Sequence, residues 1–173
     1  WLEASSTTGI NSTPNESASG AGAAYVFVRS GTTWSQQAYL KASQVNAYDQ
    51  FGQSVAVSGD TVVVGAIGEA SSTTGINSTP NESASGAGAA YVFVRSGTTW
   101  SQQAYLKASQ VTTYDYFGYS VAVSGDTVVV GAIGEDSSTT GINSTPDEGA
   151  PDAGAAYVFV RRDRKSTRLN SSH

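Results

Sequence analysis

At 173 residues the chain is long enough to bury a sizeable core, and 39% hydrophobic against 13% charged residues excludes a disordered polyelectrolyte. The absence of cysteine excludes disulfides and thiolate metal sites. The net charge of -5 hides an acidic body: residues 1–160 carry 4 Lys and Arg against 13 Asp and Glu, which excludes the clustered cations of a nucleic-acid footprint.

From Trp1 to Gly22 the chain is rich in Ser, Thr, Asn, Gly and Pro, the composition of a solvated loop without strands of its own. Asn11, Asn15, Asn77, Asn81 and Asn143 open Asn-x-Ser/Thr sequons, which mark exposed loops. GAAYVFVRS (22–30) then reads as a strand with Tyr and Phe on one face and Val on the other. Gly31 turns the chain into WSQQAYLKAS. In its second occurrence, strict alternation puts Trp100, Gln102, Ala104, Leu106 and Ala108 on one face and Ser101, Gln103, Tyr105 and Lys107 on a wetter one. That suits the outermost strand of a sheet.

A connection of residues 44–51 leads to FGQSVAVSGDTVVVGAIG (51–68), two valine-rich runs too short for helices, joined by Ser58-Gly59-Asp60. The glycine can supply the positive φ of a hairpin turn, and the aspartate can bond its own backbone there. Because the apolar residues of TVVVGAI run continuously, both faces of that strand should be covered by protein. The same block returns as FGYSVAVSGDTVVVGAIG at 117–134, a period of 66 residues. Residues 3–68 and 69–134 align without a gap and differ only at Asn46/Thr112, Ala47/Thr113, Gln50/Tyr116 and Gln53/Tyr119, and a third, drifting copy begins at Glu135.

Four antiparallel strands per period, apolar on both faces of the inner strands, are the arithmetic of an all-β partial β-propeller. A β-helix has shorter rungs, and a sandwich has no reason to repeat its sequence. The expected division is the outer half of a blade at 1–43, a full blade at 44–109, a third blade lacking its last strand at 110–161, and a non-domain tail at 162–173, about two and a half blades in all. The chain opens in mid-pattern and has no methionine, which reads as a fragment. Blades so few should leave sheet faces and edges uncovered, so the segment is expected to be poorly stable, swapped or aggregated. The tail word KSTRLNSSH resembles a translated adapter or vector read, a sequencing or cloning artefact, and carries no part of the expected function.

FG at the entry, SVAVSGDTVVVGA across the first hairpin, GAAYVFVR, then W with LKAS closely resemble the bacterial FG-GAP repeat, a relative of the blades of integrin alpha-subunit propellers, over residues 3–161. The resemblance implies a propeller of about seven blades, completed by further blades of the same chain. It also implies an extracellular or cell-surface location and a role in binding other molecules. The calcium loop of integrin-type blades, D-x-D-x-D-G, does not carry over: its place holds only Ser58-Gly59-Asp60 and Ser124-Gly125-Asp126. No metal or other cofactor is expected.

Alternate connections of such a blade emerge on one side, so the long loop after the second strand and the return connection after the fourth share a face. There Tyr48, Asp49, Gln50, Tyr114, Asp115 and Tyr116 offer aromatic surface beside a carboxylate, a mix suited to a protein or glycan ligand. The plainer reading is that the aspartate caps its own turn and the tyrosine packs between blades. The third loop gathers Glu135, Asp136, Asp147, Glu148 and Asp152 without the regular spacing of a calcium loop. The sole histidine is His173, so a His-assisted nucleophile cannot be assembled from the repeats, and no catalytic residue is expected. No apolar run approaches the ~18–20 residues of a membrane helix. The expectation is a non-catalytic module for protein or carbohydrate binding and adhesion. Its alternatives are an accessory propeller of a larger extracellular enzyme and a structural spacer.

Overall fold

The computed structural model of the protein describes residues 3–162. Its strands are β1 (Ala24–Ser30), β2 (Thr33–Leu40), β3 (Phe51–Ser58), β4 (Thr61–Ala66), β5 (Ala89–Ser96), β6 (Thr99–Leu106), β7 (Phe117–Ser124), β8 (Thr127–Ala132) and β9 (Ala155–Val160). Two-residue turns at Gly59, Gly97 and Gly125, all with positive φ, join consecutive strands, the geometry that matches strand twist in tight hairpins. All pairings between strands are antiparallel, in a two-stranded sheet β1-β2, a four-stranded sheet β3-β4-β5-β6 and a three-stranded sheet β7-β8-β9. The architecture is that of a partial propeller. Among the described residues no helix is long and apolar enough to cross a membrane. The basic tail, apart from Arg162, lies outside the described residues.

Two cores alternate with the sheets. One lies between β1-β2 and the central sheet and joins Leu40, Phe51, Val62, Val64, Tyr91 and Phe93. The other lies between the central sheet and the last one, where Val63, Val92 and Leu106 meet Phe117, Val128 and Val130. Thus β4 is buried on both faces, as its unbroken apolar run predicts. The FG pair has a physical reason. Phe51 packs edge-on against Tyr91 and Phe93, and Phe117 against Tyr157 and Phe159. The following Gly118 has φ +93°, and its carbonyl lies where a Cβ on Gly65 would sit 2.0 Å away. Ser54 Oγ donates to that same carbonyl at 2.7 Å, so backbone meets backbone between neighbouring sheets.

The outer strand corrects the alternation expected for it. The register passes from Val92↔Ala104 to Phe93↔Gln102, so Gln103 is an extra residue in a β-bulge. The bulge reverses the parity beyond it. Trp100 therefore shares the first core with Tyr105, while Ala104, Leu106 and Ala108 belong to the second. Tyr105 and Lys107, expected on a wetter face, are 4% and 0% exposed. At the turns, the Asp60 carboxylate bonds Arg95, accepting from Nε at 2.8 Å and Nη2 at 2.6 Å, and Asp126 likewise pairs with Arg161. The self-bonded aspartate foreseen there is instead a cross-strand ion pair.

Candidate functional site: the loop face

The return connection is held between two loops. Tyr48 N–H donates to Ser19 O, Gln50 N–H to Gly20 O and Phe51 N–H to Ala21 O, all in the loop before β1, while Asp49 O accepts from Gly68 N–H in the next loop. The second copy repeats this with Tyr114, Tyr116 and Phe117 on Ser85, Gly86 and Ala87, and with Asp115 on Gly134. Four non-glycine residues sit there in left-handed conformation: Tyr48 at φ 68°, Gln50 at 56°, Tyr114 at 69° and Tyr116 at 54°. For side chains of this size such φ values are costly and persist only where the surroundings fix them.

The geometry separates the six residues singled out in the sequence. Tyr48 and Tyr114 are 65% and 56% exposed. Gln50 and Tyr116 are half-buried, and the Tyr114 and Tyr116 rings lie 6.1 Å apart at 46°. Asp49 and Asp115 are buried. Their carboxylates accept from Asn46 N–H and Thr112 N–H at 2.7 Å, closing their own turns. Burial pushes the Asp49 carboxyl up to about 7, against the pull of the Asn46 N–H. Tyr48 and Tyr114 thus face solvent, and the aspartates serve the turn beneath them.

The long loops are braced by side chains. Asn81 Oδ1 accepts from Ser72 N–H and Ser83 N–H, and Ser71 Oγ accepts from Asn81 N–H. In the third copy Asp147 takes the place of Asn81 and accepts from Ser138 N–H and Gly149 N–H. These donors hold the Asp147 carboxyl below the usual carboxylate range. The other acidic residues of that loop are dispersed. Glu148 accepts from Gln110 Nε2, and Asp136 accepts from Asp152 N–H. Among the described residues no three acidic or imidazole groups gather as a metal site.

Sequence reasoning missed a buried polar cluster at the root of the first two long loops. Lys107 Nζ donates to Glu69 Oε2 at 2.8 Å and to Gly88 O at 2.5 Å, and Tyr105 OH donates to Glu69 Oε1 at 2.9 Å. The first copy repeats it with Lys41, Glu3, Gly22 and Tyr39. Desolvation lowers the Lys107 pKa and is opposed by Glu69. The cluster ties both ends of the loop, Glu69 and Gly88, to the end of the outer strand. A signal was available: one Glu and one Lys recur 38 residues apart in the first two copies, the lysine directly after an otherwise uncharged strand.

A family model described as FG-GAP repeat matches residues 34–93 and again 100–159. No curated protein matches the chain.

Proposed function

Because the chain belongs to the FG-GAP repeat family, we propose that it is a non-catalytic binding module of a secreted or cell-surface protein, holding a protein or carbohydrate ligand on its loop face. The observation that carries this reading is the pair Tyr48 and Tyr114, both exposed and both fixed at positive φ between two loops. Rigid, amphipathic aromatic side chains lose little entropy on binding and give large contact areas. The strain they carry is of the kind found at ligand clamps. No catalytic role is assigned to the carboxylates beneath, since Asp49 and Asp115 are turned into their own turns. No cofactor is assigned either, since the connection offers no spaced set of oxygen ligands.

The test is a glycan array and a panel of extracellular matrix proteins, probed with the chain and with the double variant Tyr48→Ser, Tyr114→Ser. Binding at least about tenfold weaker in the variant is expected. Equal binding by both proteins would move the site elsewhere, and no binding to either panel would favour a spacer.

A further inference from the structure

Every difference between residues 3–68 and 69–134 falls in one place. All lie within 46–53 and its counterpart 112–119, in the return connection and the start of the strand it enters. Asn46, Gln50 and Gln53, all amides, become Thr112, Tyr116 and Tyr119. The backbone does not follow the change. Tyr48 and Tyr114 hold φ of 68° and 69°, Gln50 and Tyr116 56° and 54°, and Gly52 and Gly118 96° and 93°. Gln53 N–H donates to Gln50 O at 3.1 Å and Tyr119 N–H to Tyr116 O at 3.0 Å. One turn therefore carries two amides in the first copy and two phenols in the second. Both connections lie between sheets, each bonded to a long loop on either side.

The phenols of the second connection are exposed and firmly seated. Tyr114 and Tyr119 are 56% and 45% exposed, and Tyr116 is half-buried. The Tyr114 and Tyr116 rings rest on bare backbone of two successive long loops. A Cβ on Gly86 would lie 2.9 Å from Tyr114 Cδ1 and 3.3 Å from Tyr116 Cε1, and one on Gly134 3.3 Å from Tyr116 Cδ2. Rings held this closely lose little freedom when a ligand arrives.

The surroundings narrow the ligand. Residues 69–88 and 135–154, the flanking loops, are rich in Ser, Thr, Asn and Gly, and they hold Glu82, Asp136, Asp147 and Glu148 without one lysine or arginine. Carboxylates without cations repel an anionic chain. A protein anchor is favoured where apolar neighbours exclude water around it, and this rim is polar. An uncharged polysaccharide suits both features, since the C–H faces of its rings stack on phenols while its hydroxyls bond the polar groups around them.

Resting on the loop-face reading, we propose that the two connections differ in ligand role. The second, with Tyr114, Tyr116 and Tyr119, is a stacking platform for an uncharged polysaccharide, and the first, with Tyr48 between amides, contributes little to that binding.

The first copy supplies the control, because its glutamines already stand on the same backbone. The full chain carrying Tyr116→Gln and Tyr119→Gln should therefore keep the wild-type circular dichroism spectrum. Electrophoresis through gels containing soluble β-glucan, xylan or mannan, with polygalacturonate as the anionic comparison, reads affinity as retardation. At least one neutral polymer should retard the wild-type chain and polygalacturonate should not. The double variant should bind that polymer about tenfold more weakly. Gln50→Tyr with Gln53→Tyr should bind it roughly tenfold more tightly, since two platforms then engage one polymer.

Equal retardation of the wild type and the Tyr116→Gln, Tyr119→Gln variant overturns the platform. The loop face then still stands as a binding surface if Tyr48→Ser with Tyr114→Ser abolishes retardation. Retardation by polygalacturonate alone, or binding only to a matrix protein, overturns the polysaccharide assignment and leaves the binding module. Failure to bind any polymer, glycan or matrix protein overturns both readings.

Discussion

The central sheet β3–β6 and the last sheet β7–β9 are built from nearly the same residues, yet they live in different surroundings. Val92 is 6% exposed and its counterpart Val158 is 64% exposed. Glu69 is paired with Lys107, whereas Glu135 has no such partner among the described residues. Little local explains this, since both copies carry GAAYVFVR around the valine, and the glutamate is followed by Ala70 in one and Asp136 in the other. The difference is the neighbour: the central sheet has a fourth strand and a sheet on either side. Burial and ion pairing here are properties of the stack, and stability is a sum of terms between adjacent sheets.

Paired substitutions turn that difference into measurements, read by denaturant titration with peptide-resolved hydrogen exchange. The largest contrast should come from the buried cluster. Glu69→Gln leaves Lys107 charged and buried, and should cost about 3–5 kcal/mol. Glu135→Gln, with no such cation opposite it among the described residues, should fall within about 0.5 kcal/mol of wild type. Equal losses would show that the ion pair contributes nothing specific to the central sheet.

Gly65→Ala comes next. Its new Cβ would lie 2.0 Å from Gly118 O, a backbone atom of the next sheet, so the two sheets must part. A loss of roughly 2–3 kcal/mol follows. At Gly131 the close atom is Ser120 Oγ, a side chain that can rotate away, and Gly131→Ala should cost about 1 kcal/mol or less. Faster exchange in both β4 and β7 of Gly65→Ala, with β8 of Gly131→Ala unchanged, is the expected pattern.

A smaller contrast is Val92→Ala, about 2 kcal/mol from a filled core, against Val158→Ala, under about 0.5 kcal/mol on an open face. A contrast of another kind is a pH slope at the entry to the central sheet. A carboxyl raised to about 7 favours its protonated form in the fold, so its contribution to stability falls as pH climbs from about 4 to about 7 and is level above. Asp49→Asn should flatten that part of the profile relative to wild type. An unchanged slope would mean that the buried carboxyl is not its source.

Much of this was legible in the chain. Valine-rich runs, a 66-residue period and glycine turns marked out the strands, their order and the covering of β4 on both faces. What escaped was set by a single extra residue. Gln103 looks like any other polar position in WSQQAYLKAS, but as a bulge it brings Trp100 onto the face of Tyr105, against the first core. Counting by twos cannot detect it, because the bulge depends on the partner strand. The site divided likewise. Aromatic residues beside an aspartate stood out in the sequence, whereas which of them faces outward depends on hydrogen bonds to loops about thirty residues away.

The brace inside the long loops asks only for an acceptor oxygen, and Asn81 and Asp147 meet that demand alike. Shape and electrostatic potential are thereby uncoupled. One substitution adds a full negative charge to the rim while the backbone keeps its course, so successive copies can present one outline in different charge patterns. Selection could retune what the rim attracts one loop at a time, without reopening the sheets below.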